Sequence, residues 1–364
     1  MRIDKVTVSR FVVVCIVAYL LFISWSHRAP TSTVQSSGVN PAASQAQGVL
    51  YTGKIYHIFF HSLIVYPELA YDGGPRSQLY HDYMITRDEF MKMLPELYRN
   101  NFVLVDLAST YTVNADGTQG GAIAKKPLYL PKGKKPLVIS LDDLSYYHSM
   151  TGHGFAEKLV LDAQGNVATE IVTPHGETQV TRDGDVVPIL DDFVAAHPDF
   201  SVGGAKGVIA ITGHEGVLGY RTDSVEVASH PQDVELAKQV IARLKSTGWR
   251  FASHSYSHDS AFSTGAITLD KVRRDADLWD AEVRPLVGAT DIFVGPYGQI
   301  FNQGDPRREA ILSHGFKIVC GVGADQHLEY FPRYVEMDRA DIDGYRLTHD
   351  PELLKEFFDV GRVR

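Results

Sequence analysis

The chain has 364 residues, 44% of them apolar or aromatic, with a net charge of -9. That supplies ample material for a core, and the mixed, mildly acidic surface without a basic stripe argues against a nucleic-acid binder. Two cysteines, Cys15 and Cys320, far apart and one of them in a terminal apolar run, exclude a disulfide framework.

Taken in chain order, Arg2, Lys5 and Arg10 precede an apolar run from Phe11 to Trp25. A basic flank of this kind stays on the cytoplasmic side and sends the remainder of the chain outward. The run is short against the ~20 residues of a full span, so residues 1–28 read as a signal-anchor (a transmembrane helix) or a signal peptide. Ser24-Trp25-Ser26 and Ala43-Ser44-Gln45-Ala46 offer small-residue cleavage patterns. Either reading predicts a membrane-anchored or secreted protein whose folded part is extracytoplasmic, in the cell envelope. Residues 29–50, rich in Ser, Thr, Gln, Ala, Pro and Gly, read as a flexible linker, and the folded domain is expected over 51–364.

Within that domain, strand-like and helix-like segments alternate. Lys54 to Val65 is an apolar strand-like run. Thr86-Arg87-Asp88-Glu89 is a capping box, and Phe90, Leu94 and Leu97 recur behind it at helical spacing, with Pro95 expected either to kink the helix or to sit where its missing donor is tolerated. Phe102–Leu107 and Leu137–Leu141 read as strands. Val234, Ala237, Val240, Ile241 and Leu244 mark a helical face that Gly248 caps, and Trp249–Ser253 comes next as a strand. Thr268 caps a helix carrying Val272, Ala276, Trp279 and Val283. Asp291–Val294 is then a strand, and a helix opened by Pro306 and closed by Gly315 leads to the strand Phe316–Cys320. Alternation of this kind implies a mostly parallel sheet, with a closed or distorted β/α barrel as the natural form. Phe155–Val187 breaks the rhythm: its short strand-like stretches, split by Gly-containing turns, predict a β-hairpin insertion.

Three polar clusters fall just after strand-like runs: Ser140-Leu141-Asp142-Asp143, Ser253-His254-Ser255-Tyr256-Ser257-His258, and Val294-Gly295-Pro296-Tyr297-Gly298. In a β/α barrel the strand C-terminal ends converge on the face that carries active sites. His254 and His258 are four apart in a Ser-rich loop, a spacing that lets both rings face one ion. His57 and His61 share that spacing but lie inside an apolar strand, where core or edge histidines are expected. Adjacent carboxylates at the end of a buried strand need a metal or hydrogen bonds to offset their burial, which singles out Asp142-Asp143. Asp191-Asp192, in a helix-like stretch, reads as a solvated face. One carboxylate and two imidazoles leave coordination positions open, as a catalytic rather than a structural metal site does, and the second Asp is then available as a base.

These residues resemble the polysaccharide deacetylases of carbohydrate esterase family 4, the NodB-homology group. The family motif TFDDG appears here as SLDDL, H-[ST]-x-x-H as HSYSH at 254–258, and R-x-P-Y as Val294-Gly295-Pro296-Tyr297; Phe60-His61-Ser62 is similar to the Tyr-His-Ser strand that opens some members. The resemblance spans roughly Lys54 to Phe358. It implies a distorted (β/α) barrel, Asp142 as general base, and Asp143, His254 and His258 as ligands of a divalent metal, commonly zinc. Pro296 and Tyr297 would bind substrate, with the Tyr297 backbone N–H on the oxyanion. It further implies hydrolytic removal of N-acetyl groups from a polysaccharide of N-acetylglucosamine type. Three family features are altered: Val294 stands where an Arg usually orients the base, Leu144 stands where Gly is usual, and the family's Trp-bearing motif has no clear match near Gly321 to Tyr330. His349, in Leu347-Thr348-His349-Asp350, is the loose match for a catalytic acid. Two other readings share the ligands: a non-catalytic glycan-binding protein on the same barrel, and a non-haem iron oxygenase, since two His and one carboxylate also form an iron triad.

Overall fold

Apolar runs and capped helices close into a ring in the computed structural model, which describes residues 48–113 and 122–364. The apolar run at 11–25 and nearly all of the linker lie outside the described residues. Among the described residues no helix is long and apolar enough to cross a membrane. Residues 47–364 form a compact unit of their own, and all core residues described here belong to it.

The strands, in chain order, are β1 (Val49–Tyr51), β2 (Tyr56–Phe60), β3 (Phe102–Leu104), β4 (Tyr111–Val113), β5 (Ile123–Lys125), β6 (Leu128–Leu130), β7 (Lys135–Asp142), β8 (Ala156–Leu161), β9 (Val167–Val172), β10 (Thr178–Thr181), β11 (Val208–Ile211), β12 (Arg250–Ser253), β13 (Ile292–Val294), β14 (Ile318–Val322), β15 (Leu328–Tyr330) and β16 (Val335–Asp341). The closed ring runs β7, β11, β12, β13, β14, β16, β2 and back to β7, with every pairing parallel. The barrel is distorted at β7. One of its edges is shared, with β3 paired to Lys135–Leu137 and β11 to Ser140–Asp142. The expected insertion is a three-stranded antiparallel sheet, β8 to β10.

Side chains alternate across each barrel strand. Val138, Ala210, Ala252, Val294, Cys320 and Met337 fill the barrel interior, while Ile139, Leu141, Ile209, Ile211 and Phe251 point outward into the helix layer. Antiparallel ribbons β1/β6 and β4/β5 close the floor, at the strand N-terminal ends, where Ile55, Tyr111, Ile123, Leu128 and Leu130 join the interior cluster. The first strand thus starts two residues before the compositional boundary at 51.

The helix Arg87–Arg99 carries the full capping box: Glu89 N donates to Thr86 Oγ1 (3.2 Å) and Thr86 N to Glu89 Oε2 (2.7 Å). It runs on through Pro95. Asp191 departs from the expected solvated face. In the helix Val186–Ala196 it is largely buried, and accepts from Lys206 Nζ (2.8 Å) and Trp249 Nε1 (3.0 Å), while Asp192 is exposed and pairs with Arg182. Helical periodicity alone assigns both carboxylates to one environment; Lys206 and Trp249 approach only in the folded chain.

Candidate metal and catalytic centre

Strand register decides which polar groups meet at the barrel mouth. Asp142 ends β7, pointing inward on the same parity as Val138 and Ser140. On the neighbouring β2, Phe59 lies opposite Ser140, so residue 61 lies level with Asp142. On the far side Ala210 faces both Asp142 and Ala252, and β12 ends with Ser253 opposite Ile211, so His254 follows at the mouth, two residues beyond the level of Asp142.

His254 is buried. Its Nδ1–H donates to the Val294 carbonyl (2.9 Å), leaving Nε2 unprotonated and facing the mouth, and burial keeps its pKa below the ordinary histidine value. A ligating imidazole needs this state: neutral, with its tautomer fixed by the second nitrogen's hydrogen bond. His258 reaches the same point because the loop doubles back. Asp275 accepts from the backbone N–H groups of Tyr256 (2.6 Å) and Ser257 (2.9 Å), and Ser255 Oγ accepts from His258 N (3.0 Å). The turn holds Ser255 and His258 in left-handed backbone, φ 59° and 48°, each roughly 1–2 kcal/mol above ordinary conformations.

Asp143 also has a positive φ, 58°, which swings its carboxylate out of the strand's alternation toward the two histidines. Its Oδ2 lies 3.7 Å from His258 Nε2, and Tyr147 OH donates to Oδ1 (2.8 Å). Burial disfavours its charge, but His258, His254, His61 and the Tyr147 hydrogen bond together lower its pKa. One ligand atom from each of Asp143, His254 and His258 lies within 4.8 Å of the others. A carboxylate with two imidazoles is a donor set that fits zinc or a similar divalent ion with positions left for water. The backbone strain gathered at Asp143, Ser255, His258 and Tyr297 (φ 55°) is of the kind that persists at functional sites.

Asp142 is anchored from a strand that the motifs do not include. Arg339, on β16 and fully buried, donates Nη1 to Oδ1 (2.7 Å) and Nη2 to Oδ2 (2.9 Å), a bidentate pair. It also donates to Ser140 Oγ (3.1 Å) and the Gly321 carbonyl (3.2 Å), with its guanidinium 4.2 Å from the Phe59 ring centre. Burial works against the Asp142 charge, yet the guanidinium, with His254 and His61, holds the carboxyl far below the usual carboxylate range. The charge that holds Asp142 therefore comes from β16, while Val294, at the end of β13, brings none. Beneath it His57 is wholly buried against Ser140 Oγ (3.0 Å), the core role expected of it.

His61 is not a core histidine. It is partly exposed at the mouth, and close enough to influence the carboxyls of Asp142, Asp143 and Asp343. His349, the sequence candidate for an acid, lies exposed at the end of the helix Gly344–His349 against Tyr345 (ring centres 4.5 Å), and is not among the groups gathered at the mouth. The sequence marks His61 by its strand parity with His57 and Phe59 and by the Phe60-His61-Ser62 likeness, but carries no signal that His61 and Asp142 are neighbours. Pro296 is buried. Tyr297 is half exposed, its ring 4.4 Å from that of His258, so the expected substrate-binding turn borders the cluster. A cavity of about 650 Å³ lies at the opposite end of the barrel beside Lys245, Arg250, Arg284 and His314, away from these groups.

No family model matches the chain. No curated protein matches it either. It is similar in structure to a deacetylase of Streptococcus pyogenes, PplD in complex with acetate, at 13% identity and a TM-score of 0.45, covering 85% of this chain and 99% of that one. It is similar to IcaB from Ammonifex degensii at 15% identity and a TM-score of 0.41, covering 80% and 92%. The third likeness is to a de-N-acetylase of Aggregatibacter actinomycetemcomitans, at 15% identity and a TM-score of 0.46, covering 84% and 99%.

Proposed function

We propose that the chain is a metal-dependent polysaccharide deacetylase of the NodB-homology type. It would hydrolyse N-acetyl groups on N-acetylglucosamine-type sugars of an envelope or extracellular polymer. One observation supports this above all: an Arg-tethered carboxylate, Asp142, lies beside the three-ligand cluster of Asp143, His254 and His258, with a separate imidazole, His61, on the neighbouring strand.

Asp143, His254 and His258 would hold the ion, most plainly zinc. When bound, such an ion supplies Lewis acidity and lowers the pKa of a water from 15.7 toward about 7. The remaining work belongs to the chain. Asp142, held by both Arg339 nitrogens, presents a fixed anionic oxygen to the water proton. Tyr297, in its strained turn, offers its backbone N–H to the developing oxyanion. His61, on the strand next to that of Asp142, is placed to deliver a proton to the departing amine, the role that the family resemblance assigns to His349. Asp143 stays ionised at neutral pH and His254 neutral, as ligands must be.

Acetate release from N-acetylated glycan polymers of different linkage, with zinc supplied, tests the reading. Activity is expected in the wild type and absent in Asp142→Asn. Activity that survives that substitution would remove the mechanism. Binding of glycan without acetate release would favour the glycan-binding alternative on the same barrel.

A further inference from the structure

The floor of the barrel, opposite the metal cluster, carries an exposed surface that catalysis does not explain. In the β1/β6 ribbon, Leu50 and Tyr129 are directly opposed across the strands and point away from the core; they are 54% and 58% exposed, and Val49 is 49% exposed. Buried residues alternate with them: Leu128 and Leu130 face inward. A ribbon that only plugged the floor would need apolar residues on its inner face alone. Lys125, Lys126 and Lys132 flank the same ribbon, all exposed, and among the described residues none of them forms an ion pair. Lys54, three residues beyond β1, pairs loosely with Glu356 at 3.9 Å.

Chain order supplies the occupant. The residue before β1 is Gly48, and upstream of it come the linker and then the basic-flanked apolar run at 11–25. The chain therefore leaves the folded unit at the ribbon that bears the patch. Aromatic and aliphatic side chains flanked by lysines that form no ion pair among the described residues match a lipid surface, where rings lie at headgroup level and cations are drawn to anionic headgroups.

We propose that the β1/β6 ribbon rests on an anionic lipid surface, so that the barrel stands on its floor and its mouth opens away from the membrane. Phosphatidylglycerol-type headgroups meet the lysines, and Leu50 and Tyr129 enter the interface. This does not depend on the reaction proposed above.

The test is sedimentation of residues 47–364, which contain the whole described core, with vesicles of phosphatidylcholine containing about 30% phosphatidylglycerol at low ionic strength. The protein is expected to sediment with these vesicles, to stay soluble with phosphatidylcholine alone, and to be released by salt. Lys125→Glu, Lys126→Glu and Lys132→Glu together should weaken binding at least 100-fold, at roughly five-fold per lysine removed. Leu50→Ser with Tyr129→Ser should weaken it at unchanged charge. These side chains lie on the surface, so the variants should melt with the wild type, and acetate release serves as an independent check of folding. No sedimentation with anionic vesicles overturns the proposal, as does binding indifferent to both sets of substitutions. Concentration-dependent dimerisation abolished by Leu50→Ser, without vesicle binding, would overturn it too and assign the patch to a second copy of the chain.

Discussion

Replacing Arg339 by Met isolates the ion pair beneath the proposed base. The side chain is fully buried, and Met conserves much of its apolar volume while removing four hydrogen bonds: two to Asp142, one to Ser140 and one to the Gly321 carbonyl. Breaking a buried pair leaves one charge without compensation, a loss of about 3–5 kcal/mol. For a folded unit of about 300 residues the unfolding entropy is roughly 0.6 kcal/mol/K, so the melting temperature should fall by about 5–8 °C. Calorimetry on chelator-treated Arg339→Met measures this. The double variant Arg339→Met, Asp142→Leu, in which neither charge remains, should recover most of the loss, because the penalty belongs to the orphaned carboxylate. A single variant within about 1 kcal/mol of the wild type, or a double variant no more stable than the single, would refute the view that Arg339 compensates Asp142. In the zinc-loaded enzyme Arg339→Met should also lose activity far beyond its loss of metal, since its partner is not a ligand.

The same geometry sets other outcomes. His258→Ala and Asp143→Asn should each abolish stoichiometric zinc uptake measured by elemental analysis, because three protein ligands leave none to spare. His61→Ala should lower acetate release by about 10²–10⁴ with zinc content unchanged, as expected for a lost general acid, whereas His349→Ala should leave turnover intact. Asp185 caps the helix Val186–Ala196 and is fully buried, accepting from Tyr146 OH (2.7 Å) and Leu63 N (3.1 Å); burial raises its pKa to about 6. A carboxyl with a raised folded-state pKa binds its proton more tightly in the native chain. Stability should therefore decline as pH rises from about 4 to 6, by roughly 2 kcal/mol for this group. Asp343, raised to about 6 mainly by burial, adds a decline of the same sign. Asp185→Asn should remove about half of that slope in chelator-treated protein unfolded with urea at pH 4.5 and 7, and an unchanged slope would show that Asp185 is ionised throughout.

Residue order alone encodes the features that depend on local spacing. The Thr86–Glu89 capping box, the helical face around Val240 and Leu244, the strand runs and the turns of the insertion all rest on residues within a few positions of each other. The ordered polar clusters at 142–143, 254–258 and 294–297 are legible too, because a strand end trailed by polar residues is a local pattern. The partners of these groups come from the folded arrangement. Arg339 meets Asp142 across 197 positions, and a guanidinium in the middle of β16 has no local mark distinguishing it from a surface charge. His61 becomes a mouth residue only when β2 pairs with β7 in a register that lifts it beside Asp142, while His57, four residues earlier, is sealed in the core by the same pairing. Asp191 reads as a solvated carboxylate until Lys206 and Trp249 close over it. In each case the deciding energy is burial of charge, which depends on what the remainder of the chain brings within a few ångströms and which residue spacing does not contain.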